Sequence, residues 1–179
     1  VGARANNSAA DTAQSVSQYV NNAVAGASPP IFLLSMDQSK IFDRMSLNLL
    51  RLMAVQLGIE SCIRILEVYA KLTRHIRVDG TPTKYILEGE NLCGIPQGCP
   101  LSMMLVAFWM RPWILGARLM GAKPRVLADD LFLAAYGPGH ERVFRDAYSY
   151  THQYLIDIGA KVASSKSLTF SSVPATRKR

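Results

Sequence analysis

Apolar and polar positions switch between two periods along this chain, and each switch marks an element. Ala13, Val16, Val20, Ala23 and Val24 share one stripe at helical spacing, which predicts a helix over 9–24 that Gly26 and Pro29-Pro30 end. The next run, P-I-F-L-L-S-M-D from Pro30, is short and apolar, so it reads as a buried strand ending on Asp37. Phe42, Met45, Leu49, Leu52, Met53 and Val55 return to helical spacing from about Ser46, with Gly58 as a stop. A second helix over 60–72 would turn Ile63, Leu66 and Ala70 inward. Residues 74–78 and 83–87 flank Asp79-Gly80, a hairpin signal, and 88–98 is a loop. A long apolar helix is expected over 101–119. In R-V-L-A-D-D-L-F-L-A-A-Y, residues 125–136, two apolar runs surround Asp129 and Asp130, which places the acidic pair at a hairpin connection. Gly137-Pro138-Gly139 breaks the chain before a helix over 140–158, with Val143, Ala147, Tyr150, Tyr154 and Ile158 on one face. Gly159 ends it, and 161–162 and 167–170 are the last strand candidates.

With the 74–87 hairpin set aside as an insertion, the order is β-α-β-β-α-β. That is the split pattern of ferredoxin-like antiparallel sheets packed on helices, so the fold class is α+β. In it the two central strands are neighbours, and here they carry Asp37 and Asp129. Two carboxylates about 4 Å apart repel by roughly 4 kcal/mol at an effective dielectric near 20. A divalent cation relieves that repulsion, and ligands that are all oxygen select Mg²⁺ or Mn²⁺.

Composition narrows the setting. The chain has 179 residues, 49% of them hydrophobic, enough for one domain with a real core. Its net charge of +7 and pI near 9.5 suit a polyanionic partner. Cys62, Cys93 and Cys99 are odd in number and form no CxxC pair, which argues against a disulfide framework or a zinc site and favours a reducing compartment. The most apolar stretch, 101–120, contains Arg111, Pro112 and Arg118, so no membrane span is expected. The chain opens on Val1 and closes on Arg177-Lys178-Arg179, so both ends are expected to be cut from something longer.

Several separate motifs then agree on one family. M-D-Q-S-K-I-F-D (36–43) resembles the first catalytic motif of reverse transcriptases, especially those of non-LTR retrotransposons and group II introns. G-I-P-Q-G-C-P-L-S (94–102) resembles their second palm motif, L-A-D-D (127–130) their metal-binding hairpin, and I-G-A-K-V-A-S-S-K (158–166) the Gly-to-Lys motif that follows. V-G-A-R-A-N-N-S-A-A-D (1–11) is similar, more weakly, to the segment just before the palm.

The resemblance implies a single domain fragment: 1–29 the end of the fingers, 30–171 a right-hand polymerase palm, 172–179 a polar basic tail, with the thumb and the remaining fingers absent. It implies an RNA-directed DNA polymerase that adds dNTPs to a DNA primer on an RNA template, with two Mg²⁺ ions (Mn²⁺ as a substitute), inside the cell in the nucleus or cytoplasm. Asp37 and Asp129 become the principal metal ligands, with Asp130 auxiliary and the Gln38 carbonyl a backbone ligand. Lys166 matches the lysine suited to protonating or neutralising the leaving pyrophosphate. Gln38, Ser39, Lys40, Phe42, Gln97 and Gly98 fall in the nucleotide-binding motifs, Phe42 as the steric gate against ribose. Lys71, Arg74 and Arg77 are candidates for phosphate contact. Asp43 is expected to cap the following helix.

Two positions depart from the family pattern. Leu127 stands where Tyr or Phe is usual, two residues before the acidic pair, and Met103 stands where Pro is usual. Neither change removes a ligand. Two rival functions remain: a non-catalytic descendant serving as an RNA-binding or protein-interaction scaffold, and an RNA-dependent RNA polymerase.

Overall fold

The computed structural model describes residues 9–72, 75–79, 81–86, 92–96 and 98–173. In chain order the elements are α1 (Ala9–Val24), β1 (Ile31–Asp37), α2 (Ile41–Arg44), α3 (Leu47–Gln56), α4 (Glu60–Ala70), β2 (His75–Val78) and β3 (Thr81–Ile86). Then come α5 (Ser102–Trp109), α6 (Arg111–Leu119), β4 (Lys123–Leu127), β5 (Asp130–Tyr136), α7 (His140–Asp157), a 3₁₀ turn at Ser164–Lys166, and β6 (Leu168–Ser171). They fall into two compact units, one drawn from 1–41 and 103–179, the other from 42–102.

The first unit is built on a four-stranded antiparallel sheet in the order β4-β5-β1-β6. Strand residues alternate between faces, so the β1–β5 register sorts the side chains. Ile31, Leu33, Ser35 and Asp37 share one face with Tyr136, Ala134, Phe132 and Asp130; Phe32, Leu34 and Met36 share the other with Ala135, Leu133 and Leu131. The second face is the core side. Leu34, Met36, Val126, Leu131, Leu133 and Ala135 are all buried there, and Phe144 of α7 stacks on Phe32 with ring centroids 4.7 Å apart. Burying a side chain of that size contributes about 1.5–3 kcal/mol. The face that carries Asp37 and Asp130 is covered at one end, where Ile31 and Leu33 are buried, and more open at the other: Asp37 and Asp130, with Phe132 and Ala134, are only half-buried.

Helices α6 and α7 lock together under this core. The buried Trp113 indole N–H donates to Thr151 Oγ1 at 2.9 Å, and Thr151 donates on to the Ala147 carbonyl. Tyr150 Oη donates to the Pro112 carbonyl and Tyr154 Oη to that of Trp109. Gly116 permits this approach, since a Cβ there would lie 2.3 Å from the Tyr150 ring. Burial holds the hydroxyl protons of Tyr150 and Tyr154 more tightly than in water.

In the second unit α3 buries Leu47, Leu50 and Ala54, and α4 buries Cys62, Leu66 and Tyr69. Ser46 caps α3 by accepting from Leu49 N–H at 3.2 Å. A cap of this kind is worth about 1 kcal/mol. Strands β2 and β3 form a hairpin of their own around Asp79, whose φ is 51°.

Three expectations need correction. The helix foreseen over 101–119 is two, α5 and α6, separated at Met110. Pro112 lacks an N–H and crowds the carbonyl four residues back, so one continuous helix would be broken there; in α6 it occupies the tolerated first turn. The buried stripe of α7 is His140, Phe144, Ala147, Thr151 and Leu155, rotated from the expected one. Asp43 lies inside α2, and the cap of α3 is Ser46.

Candidate active site on the open face of the sheet

The hairpin that carries the acidic pair is as tight as a two-residue connection allows. Strand β4 ends at Leu127, β5 begins at Asp130, and Ala128 and Asp129 make the turn. Ala128 takes φ 52°, a left-handed conformation that is uncommon for a residue with a Cβ. Such local strain persists only where surrounding contacts impose it. Here the Gln38 N–H donates to the Asp129 carbonyl at 3.0 Å, which fastens the turn to the end of β1.

The same register places Asp37 directly opposite Asp130. Side chains opposite each other across antiparallel strands have Cβ atoms about 4.5–5.5 Å apart. The carboxylate facing Asp37 across the ladder is therefore that of Asp130, while Asp129 occupies the turn and is exposed. Desolvation, then the charges of Asp129 and Asp37, raise the proton affinity of Asp130 above the ordinary Asp range; Lys166 partly offsets this.

Lys166 completes the cluster. After β1 the chain is held to 161–163 by backbone bonds, Ser39 N–H to the Lys161 carbonyl at 2.7 Å and Ala163 N–H to that of Asp37 at 2.9 Å. These bring the 3₁₀ turn beside the carboxylates, where Lys166 Nζ lies 3.0 Å from Asp37 Oδ2. The hydrogen bond and the charge of Asp37 raise the lysine's affinity for its proton. Asp37 is 15% exposed at its side chain and the lysine 72%, so the pair has one sheltered and one solvated partner.

Among the described residues, no group of three His, Cys, Asp or Glu side chains is arranged ready to hold a metal. The donor chemistry nevertheless fits a hard divalent cation. Asp37 and Asp130 face each other, Asp129 is adjacent, all donors are oxygen, and Asp37 already holds a cationic nitrogen.

The other expected site residues are distributed as follows. The Gln38 side chain is buried on the core side, its Nε2 4.0 Å from Met110 Sδ. Among the described residues its Oε1 has no hydrogen-bond partner. Ser39 is half-buried, and Lys40 is exposed with φ 55°. Phe42, in the second unit, is half-buried; its carbonyl accepts from Ile95 N–H at 2.8 Å, and the Met45 carbonyl accepts from Gly94 N–H at 2.9 Å. The G-I-P segment is thus stapled to the end of the first motif within that unit. Gly98 is exposed with φ 80°, a conformation that favours glycine. Lys71 is exposed just past α4. Gln97, Arg74, the Arg77 side chain and most of the 1–11 motif lie outside the described residues.

Two features were not foreseen. Tyr69 Oη and Cys99 Sγ are 2.7 Å apart. That bond draws the Cys99 thiol's pKa down, while burial, aided by Cys99, pushes the tyrosine up to about 12. Arg118, Lys123 and Arg125 line a common cavity. Neither shows as a motif: Tyr69 and Cys99 are 30 positions apart, and the cavity is walled by α1, β1, α6, β4 and β5.

No protein-family model matches the chain, and no curated protein matches it. Solved structures do. Apo telomerase from Candida tropicalis, truncated of its C-terminal domain, superimposes with a TM-score of 0.66 at 16% identity over 92% of this chain and 35% of its own. Telomerase from Candida tropicalis in complex with a TWJ fragment of telomeric RNA gives 0.63 at 14% identity, covering 92% and 30%. The corresponding complex from Candida albicans gives 0.53 at 16%, covering 91% and 30%. This chain spans about a third of the length of these structures. Its fold resembles the part of these telomerase structures that it overlies.

Proposed function

We propose that this chain is the palm, with part of the fingers, of a retroelement-type RNA-directed DNA polymerase that transfers dNTPs to a primer 3′-hydroxyl. The observation that carries the reading is the Asp37–Asp130 juxtaposition across adjacent central strands, with Lys166 drawn onto Asp37. The strand order β4-β5-β1-β6, with the two acidic strands adjacent, supports a ferredoxin-like palm. The four motifs support the non-LTR or group II type, and the basic net charge suits an RNA template paired with a DNA primer.

Asp37 and Asp130, with Asp129 from the turn, would hold the cations. Two divalent ions there supply activation of the 3′-hydroxyl and charge neutralisation at the pyrophosphate. Lys166 carries its proton firmly while paired with Asp37. Once that carboxylate's charge is neutralised the grip on the proton weakens, and Nζ can hold or give a proton at the leaving group.

The test is calorimetric titration of Mn²⁺ and Mg²⁺ into the chain with primer–template and dNTP bound, beside Asp37→Asn and Asp129→Ala. RNA-templated extension is followed in parallel. Saturable binding that both variants lose, together with extension, is expected. Binding indifferent to both, or none in a folded, duplex-bound protein, would overturn the proposal in favour of a non-catalytic scaffold.

A further inference from the structure

A second cavity lies on the same face of the sheet, at its other end. Ile31 pairs with Tyr136 six residues along β1 from Asp37, which at about 3.3 Å per residue is roughly 20 Å away. There α1 lies against the strands and leaves a cavity of about 320 Å³, at the lower end of the range for small-ligand sites. Its lining residues all belong to the first unit.

The lining combines two chemistries. Tyr19 of α1 and Tyr136 of β5 stack with centroids 5.9 Å apart and planes 14° from parallel, and both rings remain partly exposed. Phe132 adds a third aromatic surface. Arg118, Lys123 and Arg125 supply three positive charges, and among the described residues no carboxylate lines the cavity. Two of these cations are already positioned. Arg125 Nη1 donates to Ser15 Oγ of α1, and Lys123 Nζ sits 5.9 Å from the centre of the Tyr136 ring.

Aromatic faces beside guanidinium and ammonium groups recognise a base stacked flat and a phosphate beside it. We infer that this cavity binds a mononucleotide, an aromatic base joined to a phosphate, at a site separate from the carboxylate cluster. Its volume suits one nucleotide rather than a strand. The site needs no metal, because the protein supplies the positive charge itself.

The experiment is titration of AMP into the whole chain in EDTA, followed by calorimetry and by tyrosine fluorescence, with adenosine and inorganic phosphate as separate probes. Saturable AMP binding is expected, tighter than either fragment alone. Lys123→Glu and Arg125→Gln should weaken it about tenfold or more, and Asp37→Asn should leave it unchanged. Lys123 is exposed at the start of an edge strand, so Lys123→Glu keeps the test alive if Arg125→Gln fails to fold. Absence of binding at millimolar AMP would overturn the inference. So would binding that Lys123→Glu leaves intact, phosphate binding as tight as AMP, or loss of binding in Asp37→Asn.

Discussion

Lys166 Nζ stands 3.0 Å from Asp37 Oδ2, so one of the proposed metal ligands is already neutralised by a side chain of the same site. A divalent ion arriving at Asp37 must compete with that ammonium for the carboxylate. Replacing the lysine by an apolar residue of similar length removes the competitor without touching a ligand. Lys166→Met should therefore tighten Mn²⁺ binding several-fold in calorimetry while slowing nucleotide addition. Unchanged affinity would mean that the ion pair and the metal do not share Asp37. The lysine's raised pKa sets the pH window. The pair's stabilisation is complete below the ordinary lysine range and fades as pH rises through the folded value.

The folded pKa of Asp130 is raised as well, but here it is the charged form that the site disfavours. Burial and two neighbouring carboxylates raise it, so ionising Asp130 costs the fold stability. The native state is favoured below the unfolded Asp pKa, and that advantage is lost as pH climbs through the folded value. Asp130→Asn removes the charge and should raise the metal-free melting temperature at pH 7. Because the group is partly solvated, the gain should stay below about 1 kcal/mol. Melting curves from pH 3 to pH 8 would show wild type and variant converging at the acid end. A gain that persists at pH 3 would point to a cause other than charge.

Much of this site was legible in the sequence because its parts are local. P-I-F-L-L-S-M-D and the runs around Asp129-Asp130 are short and apolar, and they form β1, β4 and β5 near their expected limits. The neighbouring of β1 and β5 followed from element order alone. Which aspartate faces Asp37 did not follow. Register decides it, and a slip of one residue along β5 would exchange the two positions. The α7 stripe was misread for a related reason. Tyr150 and Tyr154 look like core residues, yet their hydroxyls reach carbonyls at the ends of the α5–α6 connection, while Thr151 is the fully buried residue. A buried threonine is intelligible only once Trp113, 38 positions away, is seen to donate to it. The cationic cavity stayed hidden on the same grounds, since its walls come from α1, β1, α6, β4 and β5.

The turn at Ala128 allows a test of whether strain is held there. At φ 52° a β-branched side chain meets the backbone far more severely than a methyl group does, whereas glycine is at ease. Ala128→Val should destabilise the protein by about 1–2 kcal/mol. Ala128→Gly should be neutral or slightly stabilising in the same denaturant titration, since relief of the Cβ clash is set against the added freedom of the unfolded chain. If the two variants were equally stable, the turn would not hold the left-handed conformation in solution.

The bond between Trp113 and Thr151 is the strongest candidate for a single polar contact that secures the core beneath the site. Both side chains are fully buried, so Thr151→Val keeps the shape but leaves the indole N–H without an acceptor. An orphaned buried donor costs about 1–3 kcal/mol, or roughly 3–10 °C in melting temperature for a chain of this size. Trp113→Phe also destabilises, through the cavity left by the smaller ring. In the double variant, however, neither partner is left unsatisfied. Its loss should therefore be smaller than the sum of the two single losses, by about 1 kcal/mol or more. Strict additivity in that cycle would show that the hydrogen bond contributes nothing beyond packing. Helices α6 and α7 would then be held under the sheet by apolar contact alone.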